Sequence, residues 1–152
     1  MTRAEVRDLY DEYSYLLDER DYDAWLALFT ESCDYRIVAR ENWDRGLPLA
    51  TIRCDSRDML ADRLDTIRTT QFYAARTMRH FVSAVRPTDL DGSAEVTANF
   101  LVTESLADEP ARVHTVGQYR DEVVVEDGAL RFARKTAIYD AALVLTSLVI
   151  PL

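Results

Sequence analysis

At 152 residues, with 18 Lys+Arg against 27 Asp+Glu, the chain carries a formal net charge of −9, which excludes the basic surface that nucleic acids and anionic membranes attract. Its 48% hydrophobic and 30% charged residues, with four Gly and four Pro, describe one folded domain, 1–152, and exclude a low-complexity chain. No apolar stretch approaches the roughly 20 residues of a membrane span, and the start Met1-Thr2-Arg3-Ala4-Glu5 lacks a secretory signal's apolar core, so a cytoplasmic protein is expected.

Thr2-Arg3-Ala4-Glu5 reads as a capping box, with Thr2 as N-cap and Glu5 reaching back to it. Val6, Leu9, Tyr10, Tyr13, Leu16 and Leu17 then recur at helical spacing, which predicts a helix ending near Glu19 with one face inward. Asp21 caps a second, shorter helix through Trp25, Leu26 and Phe29. Residues 33–39 read as the first strand, with Tyr35 and Ile37 on one face. Residues 40–49 form a polar connection carrying Trp43, Gly46 and Pro48, and 50–54 a short strand. Asp55 or Ser56 caps a third helix whose apolar stripe is Met59, Leu60, Leu64 and Ile67. Arg57, Asp58, Asp62, Arg63, Asp65 and Arg68 fall mostly on its other side, either solvated or facing a partner.

Long β segments follow at 77–85 and 94–105, turned by Asp91-Gly92, and then a hairpin, 113–126 and 129–139, turned by Asp127-Gly128. Asp-Gly suits a primed turn because both residues tolerate positive φ. Strands this long bend, and Gly117 is the expected bulge or kink. Helices first and strands after indicate an α+β layer fold. A bent sheet wrapped round the long first helix makes a cone with one open end.

Cys33 and Cys54 are expected as reduced core thiols. Together with His80 and His114 they occupy separate segments, a spacing that fits neither a tetrahedral zinc site nor a Cys/His iron–sulfur cluster, so no metal or cofactor ligands are expected in this chain. Alternation puts His80 on the inward face with Met78, Val82 and Ala84, and His114 outward with Gln118, Arg120 and Glu122. An inward His80 beside Tyr13, Tyr35 or Tyr119 could do acid–base work; a hydrogen-bonded core histidine is the simpler reading. The charges of Tyr119-Arg120-Asp121 and Tyr139-Asp140 are expected to pair across the hairpin. No P-loop, dinucleotide-binding glycine pattern or nucleophile elbow is present in the sequence.

An ordered set of short segments carries a resemblance. It runs from Leu17-Asp18-Glu19 and Trp25-Leu26-Ala27-Leu28-Phe29-Thr30 through Arg40-Glu41-Asn42 and Gly46-Leu47-Pro48-Leu49 to Asp55-Ser56-Arg57-Asp58-Met59-Leu60. Arg79-His80-Phe81-Val82, Gly117-Gln118-Tyr119-Arg120-Asp121 and Ile150-Pro151-Leu152 complete it. The set resembles the small (beta) subunit of aromatic-ring-hydroxylating oxygenases of the Rieske non-haem iron type. Within that family it is most similar to the aryl-carboxylate group of salicylate 5-hydroxylase and terephthalate dioxygenase. The resemblance implies the cone-shaped α+β fold shared with ketosteroid isomerases and scytalone dehydratase, with long N-terminal helices packed in a curved, mostly antiparallel sheet. It also implies a structural subunit without catalysis of its own, serving an aromatic-acid hydroxylase fed by NAD(P)H through a separate reductase. The Rieske 2Fe-2S cluster and mononuclear iron belong to the large subunit, and three small subunits meet three large ones in a hetero-hexamer.

Arg40, Glu41, Asn42 and Trp43, with Arg57 and Arg63 on the third helix, are the candidate contacts for the large subunit. Leu152 and the apolar stretch 143–152 are surplus to a small core and are expected, with the sheet faces, to meet neighbouring copies in a trimer. The alternative is a cone acting alone, as a dehydratase, an isomerase or a small-molecule binder, with a cavity lined by Tyr13, Tyr35, His80 and Tyr119.

Overall fold

The Thr2 cap forms as its sequence requires. The hydroxyl accepts the Glu5 N–H at 3.2 Å and the Glu5 carboxylate accepts the Thr2 N–H at 2.7 Å, opening α1 (Arg3–Glu19). The computed structural model describes residues 1–69, 75–141, 148 and 150–152. Helix α1 ends where Arg20 turns left-handed (φ 60°), and Asp21 caps α2 (Tyr22–Leu26) by accepting the Ala24 N–H. The helix expected to run to Phe29 stops at Leu26. Phe29 opens β1 (Phe29–Ala39) instead, because its backbone pairs with Phe132 while its ring is fully buried, and that packing outweighs helix continuation.

Where a loop was expected, Arg40–Asp44 forms a short helix, α3, before β2 (Ile52–Cys54). Ser56, accepting the Met59 N–H at 3.2 Å, caps α4 (Arg57–Thr69). Leu60, Leu64 and Ile67 are its buried stripe; Met59, expected in that stripe, is 43% exposed, since the stripe turns away from it. Four long strands follow: β3 (Arg76–Thr88), β4 (Ser93–Leu106), β5 (Arg112–Glu126) and β6 (Ala129–Tyr139). The β5–β6 turn has positive φ at both Asp127 and Gly128, the primed geometry expected.

All six strands form one sheet in the order β2-β1-β6-β5-β4-β3, antiparallel except where β1 runs parallel to β6. Helix α1 packs against β3 and β6 on the concave side. Val6, Tyr10, Tyr13 and Leu17 from α1 meet Phe100, Tyr119, Val123 and Phe132 from the sheet in one core, which is the expected cone. Among the described residues no helix is long and apolar enough to cross a membrane.

Gly117 is needed for a different reason than a bulge. Register is continuous through it, from Phe100 to Gly117 to Tyr139. A Cβ there would stand 1.9 Å from the Ile138 carbonyl oxygen, so only glycine admits this backbone approach. The bulges lie elsewhere, one of them between Val102 and Thr103 opposite Val113–Thr115.

That bulge overturns the expected orientation of His114. The extra residue flips the side-chain phase of β5, so His114 and Thr115 are both buried, instead of His114 facing out with Gln118. Leu152 is also corrected as an interface residue. It is fully buried in the chain's own core and offers no surface to a neighbour, as is nearly so for Ile150. Most of the stretch 143–152 lies outside the described residues.

Candidate functional site

The centre of the cone holds a lysine. Lys135 on β6 faces Asp121, its register partner on β5, at 2.9 Å, and both side chains are wholly shielded from solvent. Asp121 also accepts the Thr136 N–H at 3.0 Å and the hydroxyl of Tyr10. The ammonium lies 3.3 Å from the Tyr119 ring centroid and 4.3 Å from that of Tyr13, with Tyr10 and Phe132 each at 4.8 Å. Burial drives Lys135 down to about 8 against the pull of the Asp121 charge. Burial likewise raises Asp121, against the charge of Lys135 and the hydrogen bonds it accepts. A paired, cation–π-caged ammonium of this kind satisfies itself and offers no free atom to a substrate. The charges of Arg120-Asp121 and Asp140, expected to pair across the hairpin, sit out of register, with Arg120 opposite Thr136. Asp121 finds Lys135, whereas Asp140 binds Arg40 of α3 at 2.8 Å.

Nearer the mouth, the four residues expected to line a cavity converge. His80 Nδ1 lies 2.7 Å from the Asp18 carboxylate, which also accepts the His80 backbone N–H at 3.1 Å. Its Nε2 lies 3.3 Å from the Pro151 carbonyl oxygen. The Tyr13 and Tyr35 hydroxyls donate to the main-chain oxygen of Leu152 at 2.5 and 3.2 Å, and the Leu152 N–H returns to the Tyr35 oxygen at 3.0 Å. The Tyr119 hydroxyl, although wholly buried, has no hydrogen-bond partner among the described residues. Burial raises Tyr13, Tyr35 and Tyr119 above an ordinary phenol, so all three hydroxyls stay protonated at neutral pH. Tyr13, Tyr35 and His80 thus hold residues 151 and 152, which occupy the place where a cavity was expected.

Beside it, Glu104 is fully shielded and accepts Arg76 at 2.8 Å and Arg112 at 2.7 Å. Burial alone would raise Glu104; the Arg112 hydrogen bond and the neighbouring charges hold it below the usual carboxylate range. His114 packs near this pair, and burial pushes its imidazole down, while its Nδ1 finds no hydrogen-bond partner among the described residues.

On the outside, α3 packs against β1 and β6 and keeps Trp43 42% exposed. Trp43, Leu47 and Leu49 with Arg36 and Arg53 line a surface pocket of about 350 Å³. Of the residues expected to contact a partner, Glu41 is exposed and Arg40 and Asn42 half-buried. Arg57 and Arg63 instead turn partly inward, donating to the Phe29 and Leu148 carbonyls at 3.4 and 2.9 Å. Beyond α3 the convex face stays apolar and open along the cross-strand row Phe81, Leu101 and Val116, with Phe81 56% and Val116 42% exposed.

The donors do not suit an iron centre. Cys33 and Cys54 are free buried thiols, Cys33 pushed by burial up to about 11. Among the described residues no three His, Cys, Asp or Glu side chains converge as metal ligands.

Residues 13–146 match the family model described as ring hydroxylating beta subunit. The chain is 34% identical to the anthranilate 1,2-dioxygenase small subunit of Burkholderia cepacia over 97% of its own length and 92% of that protein. It is 28% identical to subunit beta 2 of the terephthalate 1,2-dioxygenase terminal oxygenase component of a Comamonas species, over 92% of each chain. A crystal structure of a beta subunit from Novosphingobium aromaticivorans, assigned to an aromatic-ring-hydroxylating dioxygenase, superposes with a TM-score of 0.88 at 31% identity. That superposition covers 99% of this chain and 96% of the other. This chain is a member of the ring-hydroxylating beta-subunit family.

Proposed function

We propose that this chain is the non-catalytic subunit of a cytoplasmic oxygenase that hydroxylates an aromatic carboxylic acid. The observation that carries this reading is the filled cone. Where a solitary enzyme of this shape would need a substrate cavity, Lys135, Asp121 and five packed aromatic rings occupy the centre, and Leu152 is bonded into the mouth. The aromatic-acid substrate is supported by the anthranilate and terephthalate enzymes whose small subunits it is similar to. The Rieske cluster and mononuclear iron then reside in the large subunit, and oxygen activation takes place there.

The chain's own part is mechanical. Its sheet is a rigid platform, braced by the Lys135–Asp121 pair, that presents α3 and the open convex row to partners. Arg40, Glu41, Asn42 and Trp43 on α3 are the proposed contacts to the large subunit, helped by Leu47 and Leu49. The Phe81–Leu101–Val116 row is the proposed meeting face of three copies, since an open apolar row of this kind marks an interface. Metal analysis and turnover of the separately purified chain test the division of labour. No retained iron and no turnover of the aromatic acid are expected; stoichiometric iron after chelator treatment would overturn it.

A further inference from the structure

Arg53 and Arg120 apart, every arginine outside one pocket pairs with a carboxylate or donates to a main-chain oxygen. That pocket lies between the start of α1 and the edge strand β3. It has a volume of about 270 Å³ and is lined by Arg3, Arg7, Ala84, Val85 and Arg86. Among the described residues none of its three guanidiniums meets an ion-pair or hydrogen-bond partner. Outside the described residues, at 70–74, 142–147 and 149, the sequence has no Asp or Glu to answer them.

The placement of these cations also works against the fold. Arg3 and Arg7 stand one helical turn apart, where like charges repel. Both sit at the start of α1, the positive end of its dipole, where acids rather than bases are stabilising. Glu5, the acid of that turn, is taken by Thr2. On the facing wall Ala84 adopts φ 53° within the bulge between Ser83 and Arg86, a conformation uncommon for a residue with a Cβ. Three unanswered cations gathered from two elements, in a chain with 27 acids, are the arrangement of an anion site.

We propose that Arg3, Arg7 and Arg86 bind a doubly charged oxyanion of the phosphate type, free or as the monoester of a small metabolite. Guanidinium forks match the paired oxygens of a phosphate, and three of them more than balance its two charges. The capping box already occupies the start of α1, so the arginine side chains, not the helix end, supply the donors. The net charge of −9 around the pocket turns away a nucleic acid or an anionic membrane. The site shares no residue with α3 or the convex row, so it stands apart from the beta-subunit reading.

Urea unfolding of the full-length chain in inorganic phosphate, against sodium chloride of equal ionic strength at neutral pH, reads the site. At about 10 mM phosphate, a site of millimolar affinity raises the folding equilibrium constant about tenfold. The triple variant Arg3→Gln, Arg7→Gln, Arg86→Gln should show no rise. Glycerol 3-phosphate at the same concentration separates the two sources. A larger rise than with phosphate points to a phosphorylated metabolite, an equal or smaller one to free phosphate. No rise in the wild type with either compound overturns the site. So does an equal rise with acetate or in the triple variant, which is a general salt effect. Phosphate without effect, together with a triple variant that no longer co-purifies with the large subunit, would assign the arginines to a partner's carboxylates and likewise overturn it. If the triple variant does not fold, Arg86→Gln alone, on an exposed residue, serves in its place. It should lose most of the rise; a full rise there overturns the site.

Discussion

Replacing Lys135 by Met keeps the length and apolar bulk of the side chain but removes its charge, leaving Asp121 with only Tyr10 and the Thr136 N–H. Both partners are 0% exposed, so no water replaces the missing ammonium. Breaking a buried pair from one side costs about 3–5 kcal/mol, a large share of the roughly 5–15 kcal/mol that hold a domain folded. At about 2–4 °C per kcal/mol for a chain of this size, the melting temperature should fall by roughly 6–20 °C. Asp121→Asn should cost a similar amount, by stranding the ammonium among four aromatic rings. The double variant, an uncharged pair of similar volume, should lose far less than the sum, with a coupling energy above about 2 kcal/mol. Urea unfolding of all four proteins supplies the cycle. Additive losses, or a Lys135→Met cost below about 1 kcal/mol, would show that the pair does not brace the cone.

Gly117→Ala should cost about 3 kcal/mol or more in the same assay, because backbone rather than a flexible side chain blocks the new methyl at 1.9 Å; a loss under about 1 kcal/mol would mean the strands separate freely there. His114 has a folded pKa below its ordinary 6.5, so the unfolded chain takes up its proton first, and stability should begin to fall as pH drops below 6.5. The lowered Glu104 adds a further loss as pH falls below 4.5, and His114→Gln should remove only the first phase; an unchanged urea midpoint from pH 8 to pH 5 would contradict the histidine's part. Trp43→Ala with Leu49→Ser, both on exposed side chains, should leave stability within about 0.5 kcal/mol and weaken co-purification with the large subunit; retention at wild-type level would free α3 from the proposed contact.

The elements were legible because each has a local cause. Thr2 and Glu5, Asp21, Ser56 and Asp127-Gly128 punctuate the chain through their own hydrogen bonds or φ angles, and all four act where the sequence places them. What escaped was phase. A two-residue turn alone would set Asp121 opposite Arg134; the register shift between Glu122 and Val123 moves Lys135 there instead, and bulges leave no residue signature in β-branched strands. The same blindness misplaced His114. Tyr13, Tyr35, His80 and Tyr119 were found because helical spacing and strand alternation point each inward without a bulge between. That residues 150–152 would fill their midst was not readable, since an apolar tail is equally compatible with a neighbour's surface and with the chain's own core.

A beta subunit of this kind is defined by its assembly with a large subunit. Static light scattering of this chain co-purified with its large subunit measures that directly. The mass of a single complex with three copies of each chain is expected, and the free chain should be smaller. A chain that remains apart from the large subunit at micromolar concentration, while that subunit turns over its aromatic acid unaided, would contradict it.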